Sequence, residues 1–193
     1  MSKRRGCSRA AAVVLFLLGA SGLGFAAQES GVTVPVETVV DYIHAVLASD
    51  RTFYTVHVVD RMQRRGVIES AENWRSANVL PLPAQFVQES SNLAAMTGVQ
   101  VRYRLISLHP INKQSGPSTE FEQAALQAVT ARPAEPYKGF VTEGGKRYYQ
   151  ALYADQAVSD ACVRCHNAHP ASQKHDYKLN DVMGGVLISV PVP

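Results

Sequence analysis

The chain has 193 residues, about one domain's worth, and its 46% hydrophobic and 18% charged residues exclude a disordered, collagen-like or coiled-coil protein. The formal net charge of +3 is concentrated at one end: Lys3, Arg4, Arg5 and Arg9 precede the first acid, Glu29. The remainder holds 15 basic against 16 acidic side chains, so no basic surface for nucleic acid is expected.

Residues 1–9 are positive, 10–20 are apolar and 21–27 are small and turn-prone, the order of a secretory signal. Gly24 and Ala26 occupy the −3 and −1 positions for cleavage after Ala26. The apolar run is shorter than the roughly 20 residues of a membrane span, and membrane association is expected only if this segment stays uncleaved. The domain plan is therefore a signal peptide over 1–26 and a single exported, periplasmic domain over 27–193. Cys7 leaves with the signal, and the mature chain keeps Cys162 and Cys165.

Helical spacing of Val39, Val40, Ile43, Val46 and Leu47 predicts a helix over 37–48. Asp50 is placed to cap a second helix over 51–65, closed by Gly66. Residues 67–82 read as irregular, and a third helix runs over 84–96, closed by Gly98. Residues 99–108 alternate Val99, Val101, Tyr103 and Leu105 against Gln100, Arg102 and Arg104, a half-buried strand. After a turn-rich loop over 109–117, Ser118 and Thr119 start a helix over 120–131 that Pro133 ends. Residues 138–143 and 146–154 form a hairpin about Gly144-Gly145, with Tyr149 and Tyr153 on one face and Tyr148 on the other. Residues 185–192 give a last strand. The pattern is an α+β domain: an antiparallel sheet flanked by helices, with an N-terminal helical segment.

Residues 162–166 read Cys-Val-Arg-Cys-His, the c-type haem attachment signature. Two thiols separated by two residues reach both vinyl groups of a haem, and the following imidazole lies beneath the iron as proximal ligand. Three other fates compete: a redox CxxC, which normally opens a helix in a βαβ unit that is not found here; zinc held by Cys162, Cys165, His166 and His169; and a plain structural disulfide. Export, a lone cysteine pair and the adjoining histidine together favour covalent haem c.

The second axial position has several candidates. His57 lies mid-helix among Phe53, Val56, Val58 and Val59, an apolar setting suited to a haem face. Met183 reads as a strand-edge packing residue, Met96 as core, and Met62 as packing on its own helix. His169 is too close to His166 to reach the opposite face, and His44, His109 and His175 read as solvated or loop histidines. Two histidines give a closed low-potential iron, His/Met raises the potential, and an open position admits NO, CO or O₂. Arg102 and Arg104 share a strand face and suit haem propionates, although a solvated face explains them more simply. There is no Ser-His-Asp arrangement and no phosphate-cradling glycine loop.

The residues after the motif carry a family resemblance. His169-Pro170-Ala171-Ser172, Lys174, Asp176-Tyr177-Lys178 and Asp181-Val182-Met183-Gly184-Gly185 follow in close order. Upstream, Tyr54…His57-Val58-Val59, Leu82-Pro83-Ala84…Phe86, Leu105-Ile106-Ser107…Pro110-Ile111-Asn112, Phe121-Glu122 and Tyr148…Ala151…Tyr153-Ala154-Asp155 keep the same order. Over about 50–193 the chain resembles a family of monohaem c-type domains with a PAS-like fold. That family includes free-standing cyanobacterial haem proteins and the periplasmic sensor regions of chemoreceptors and cyclases. The resemblance implies a haem against a PAS-like sheet, attached at Cys162 and Cys165 with His166 as proximal ligand. His57 falls in the segment where some relatives carry a cysteine as sixth ligand, and no third cysteine survives signal removal here. The chain ends after the last strand, so it is expected to be free-standing. The expected role is electron transfer or redox sensing through a redox partner or a membrane signalling protein, not catalysis. A gas sensor or an open-site haem enzyme is the alternative.

Overall fold

A computed structural model describes residues 32–193. The predicted signal peptide lies outside the described residues.

The chain enters on one continuous helical rod. α1 (Val36–Phe53) passes into a π-helical segment (Tyr54–Asp60) and then into the single turn α2 (Arg61–Arg64). Two helices with Asp50 as a cap were expected; Asp50 is instead an exposed residue inside α1. Neither glycine nor proline interrupts this stretch, so a lone Asp has only a weak claim to start a new helix. Burial decides the matter: Val40, Arg51, Thr55 and Val59 are all buried, and the Thr55 hydroxyl donates to the Arg51 carbonyl at 2.7 Å. α3 (Pro83–Met96) follows, with proline in its first turn and the Gln85 side chain accepting the Leu82 N–H at 2.9 Å.

The sheet has four antiparallel strands: β1 (Arg102–Ile106), β2 (Tyr137–Glu143), β3 (Lys146–Gln156) and β4 (Val182–Pro191), in the spatial order β1-β4-β3-β2. The hairpin lies where expected, with Gly144 and Gly145 at φ of 55° and 77°, as a two-residue primed turn requires. β1 is shorter than predicted, because Val99 is exposed and pairs with nothing on β4. β4 begins three residues earlier than predicted.

Alternation along the strands gives the sheet two covered faces. On one, Tyr103, Tyr149, Ala151, Tyr153, Val186 and Ile188 pack against Val40 of α1 and Val87 of α3. On the other, Ile106, Leu152 and Leu187 pack against Ala125, Leu126 and Val129 of α4 (Glu120–Ala131). α4 matches its predicted limits, and the Thr119 hydroxyl accepts the Glu122 N–H at 3.2 Å. The fold is α+β, as the strand and helix pattern predicted. No helix among the described residues is long and apolar enough to cross a membrane.

Candidate functional site

The Cys-Val-Arg-Cys-His stretch lies on α5 (Asp160–Ala168), a helix not anticipated from the sequence. Its start is nonetheless written there: Ser159 caps it, accepting the Ala161 N–H at 3.1 Å, and Asp160 places a negative charge in the first turn. α5 belongs to the connection between β3 and β4, whose ends meet at the pair Gln156–Val182. The site is thus carried by the two central strands.

One helical turn separates Cys162 from Cys165, so both thiols project from neighbouring positions of one face. Neither is bridged. Cys162 is half-buried and packs with Val163 against Ala157, Tyr177 and Met183. Cys165 is exposed and borders a cleft of about 370 Å³ lined also by Gln63, Arg64, Glu69, Ala161 and Arg164. Burial pushes the Cys162 thiol above the usual cysteine range, outweighing the opposing pull of Arg51 and of backbone N–H groups. α5 joins two antiparallel strands, not the parallel strands of the βαβ unit in which a redox CxxC normally sits.

His166 is half-buried and meets the Tyr177 ring edge-to-face, centroids 5.9 Å apart. Burial, then the charges of Arg51 and His169, hold its imidazole below the usual histidine range. It is neutral at pH 7, the form that ligates metals. Its Nδ1 is buried without a hydrogen-bond partner. A metal-bound histidine is normally oriented through its second ring nitrogen, and among the described residues no group bonds Nδ1 in that way. Two unbridged thiols one helical turn apart, beside a half-buried imidazole, fit a group that takes both thioethers and an axial nitrogen.

The zinc alternative fares worse. His169 Nδ1 accepts the Ala171 N–H at 3.1 Å, and its Nε2 lies 3.8 Å from Glu72. Among the described residues no group of three or more His, Cys, Asp or Glu is gathered to hold a metal ion. Asn167 fixes the segment behind the motif: its side chain donates to the Tyr177 carbonyl and accepts the Tyr177 N–H, each at 2.9 Å.

The other sequence candidates are dispersed. His57 is exposed on the π-helical segment, tilted against Phe53 at 5.0 Å. That segment packs against α5, and its buried Asp60 pairs with Arg64 at 2.9 Å and with Arg164 of the motif at 3.5 Å. His44 was expected to be solvated; it stacks on Tyr153 at 3.8 Å, and burial lowers its pKa. Met96 was expected in the core and is 81% exposed, because α3 presents its last turn to solvent. Met183 is buried beneath Cys162, Met62 is half-buried, and His109 is exposed. His175 holds its Nδ1 2.8 Å from the Asn167 carbonyl. Arg102 and Arg104 are engaged elsewhere, by Glu143 at 3.2 Å and Glu122 at 2.7 Å.

The sequence reading missed the buried ion pair between Arg51 and Asp155, 2.8 Å apart. A signal was available: Leu47, Arg51, Thr55 and Val59 recur every four residues, which places Arg51 on the inward face of the rod.

Residues 29–191 match the model of the Tll0287-like family. The chain belongs to that family. Among solved structures, the cyanobacterial heme-protein Tll0287 superposes on this Tll0287-like chain with a TM-score of 0.50 at 17% identity, covering 82% of this chain and 97% of its own. That likeness is one of fold. Curated proteins give no match.

Proposed function

We propose that this Tll0287-like protein carries one haem c, held by thioethers from Cys162 and Cys165 with His166 as proximal ligand, and acts as a one-electron carrier or redox sensor. The observation that carries the reading is the Cys-Val-Arg-Cys-His helix, with both thiols unbridged one turn apart beside the half-buried imidazole of His166. A family relative that is a heme-protein supports it. The haem supplies reversible one-electron chemistry when bound. The chain's part is to orient His166 through Tyr177, to anchor the motif through Ser159 and Asn167, and to surround Cys162 with apolar side chains. His57 is the proposed second axial ligand, since the π-helical segment that bears it packs against α5 and such segments concentrate at functional positions.

The same reading places the domain in the periplasm after cleavage at Ala26, with a redox or membrane signalling partner, and takes the sheet with its long entry helix as PAS-like. A pyridine haemochrome assay on protein expressed with its leader and the haem-attachment machinery tests it. A covalent c-type spectrum is expected, lost in the C162A/C165A variant. Wild-type protein without haem refutes it. The His57→Ala variant is expected to change the reduced spectrum and to bind CO. CO binding by reduced wild-type protein would favour gas sensing instead.

A further inference from the structure

The outward side of α1 is apolar. The buried Val40 and Arg51 and the half-buried Leu47 mark the side that meets the sheet. Val39, Tyr42, Val46 and Phe53 fall on the other side, and they are 36%, 67%, 61% and 62% exposed. A helix on the surface of a domain normally gives that side to charged and polar residues. Four residues of α1 are charged: Arg51 is buried, Glu37 is half-buried, Asp41 is held by Lys138 and Tyr153, and Asp50 alone borders the apolar strip. Among the described residues nothing covers that strip.

The spacing of the strip specifies what fits it. Val39, Tyr42, Val46, Ser49 and Phe53 follow at alternating steps of three and four, two heptads in which Ser49 is the one small polar member. A mean period of 3.5 residues is the one by which two helices keep a common seam, each side chain entering a hole on the other helix. Thr38, Ala45 and Thr52, also seven apart, line one flank with small uncharged side chains, so a second helix backbone can come close. A second copy of α1 brings the same seam, the same patch lying on both sides of a two-fold axis. The strip carries no charge, so two copies meet without the like-charge repulsion that separates wrong partners. A membrane surface fits less well: helices that lie in it carry Lys and Arg on their polar side, and the one base of α1 is the buried Arg51.

We propose that α1 is a self-association surface, on which two copies of this chain pair through the strip formed by Val39, Tyr42, Val46 and Phe53. Eighteen residues at about 1.5 Å each make the seam about 27 Å long and one helix wide. That is less than the roughly 1,200–2,000 Å² buried by standard stable complexes, so the dimer is in concentration-dependent equilibrium with the monomer. The inference does not rest on the haem reading, since none of the seam residues belongs to the Cys-Val-Arg-Cys-His helix.

Sedimentation velocity on the exported protein tests it, from about 10 μM to about 1 mM, where interfaces below standard size associate. Wild-type protein is expected to pass from monomer to dimer across that range. V46E and Y42K place a charge on the seam at exposed positions that the buried side of α1 does not use, and each is expected to raise the dimer dissociation constant at least about tenfold. V67E replaces a valine that is 65% exposed but lies off the helix, and it is expected to leave association unchanged. Circular dichroism spectra and denaturant midpoints of all three variants are expected to match wild type. Wild-type protein that is still monomeric at the highest concentration overturns the proposal, and so does a dimer indifferent to both V46E and Y42K. Monomeric wild type that binds phosphatidylglycerol vesicles through Val46 gives the face to a membrane. Protein that mass spectrometry finds still carrying residues 1–26, and that dimerises only after their removal, gives it to the leader. Either result overturns the pairing of two copies in the exported molecule.

Discussion

Gly184 lies on β4 beside the end of β1, close to the β3–β4 connection. A Cβ placed there would lie 2.3 Å from the Ile106 carbonyl oxygen and 3.2 Å from both the Ile106 carbonyl carbon and Ser107 Cβ. Carbon–oxygen contacts between strands rarely close below about 3.3 Å, so Gly184→Ala forces a displacement of about 1 Å. The obstacle is backbone, so no side-chain rotation relieves it. Ile106 is the last β1 residue in register with β4, opposite Gly185, and it is 1% exposed within the α4-side core. The displaced end of β1 therefore strains the packing of Ile106 and weakens the last ladder bond. Overpacking costs about 1–3 kcal/mol, and a weakened hydrogen bond adds about 1 kcal/mol. The lost flexibility of glycine in the unfolded chain returns about 0.5 kcal/mol. The expected net loss is about 1.5–3.5 kcal/mol. Urea unfolding followed by far-ultraviolet circular dichroism should show it as a midpoint lowered by about 0.75–1.75 M, for a slope of about 2 kcal/mol/M. A variant within about 0.5 kcal/mol of wild type would refute the close-approach argument.

Glu122 is 5% exposed in its side chain. Burial alone would raise its pKa, but bonds from the Ser118 N–H, the Arg104 guanidinium and the Ser118 hydroxyl together hold it below the ordinary carboxylate value. Glu122→Gln should cost about 1.5–3 kcal/mol at pH 7. A depressed folded-state pKa means that this stability is present above about pH 4.3 and disappears as pH falls through the lower folded value. Denaturant midpoints of the two proteins should therefore converge in acid; a constant gap down to acid unfolding would contradict the assignment. Tyr153→Phe removes the phenol bond to Asp41 at 2.5 Å while keeping the ring stacked on His44. A loss of about 1 kcal/mol is expected in thermal unfolding, and an unchanged midpoint would show that the bond contributes nothing net.

Elements bounded by strong local chemistry were legible in the sequence. The Thr119 cap and Pro133 bracket α4, and Gly144-Gly145 bracket the hairpin. The motif residues themselves announced the candidate site. Long-range packing was not legible. Asp50 carries the side chain of a cap, and only the burial of Arg51 and Thr55 against the sheet keeps the helix running through it. Val99 continues the alternation of β1, but β4 offers no partner opposite it. His44 looks solvated in a sequence whose helix spacing says nothing about which ring of the distant hairpin it meets. The partners of Arg102, Arg104 and Arg51 lie far away along the chain, at Glu143, Glu122 and Asp155. No local rule joins them.

Gln156 and Val182 are hydrogen-bonded neighbours, so residues 157–181 leave the sheet and return to it at one point. The ladder has already met the entropy of closing that excursion. It can open as a unit of its own while both sheet faces stay packed, in the manner of the sub-global unfolding units seen by native-state hydrogen exchange. Amides of α5 should then exchange faster than those of the β3–β4 ladder, and a protease should nick the haem-free protein within 157–181 first. On the proposed haem reading, the half-buried Cys162 thereby becomes reachable for thioether formation without the protein giving up its fold.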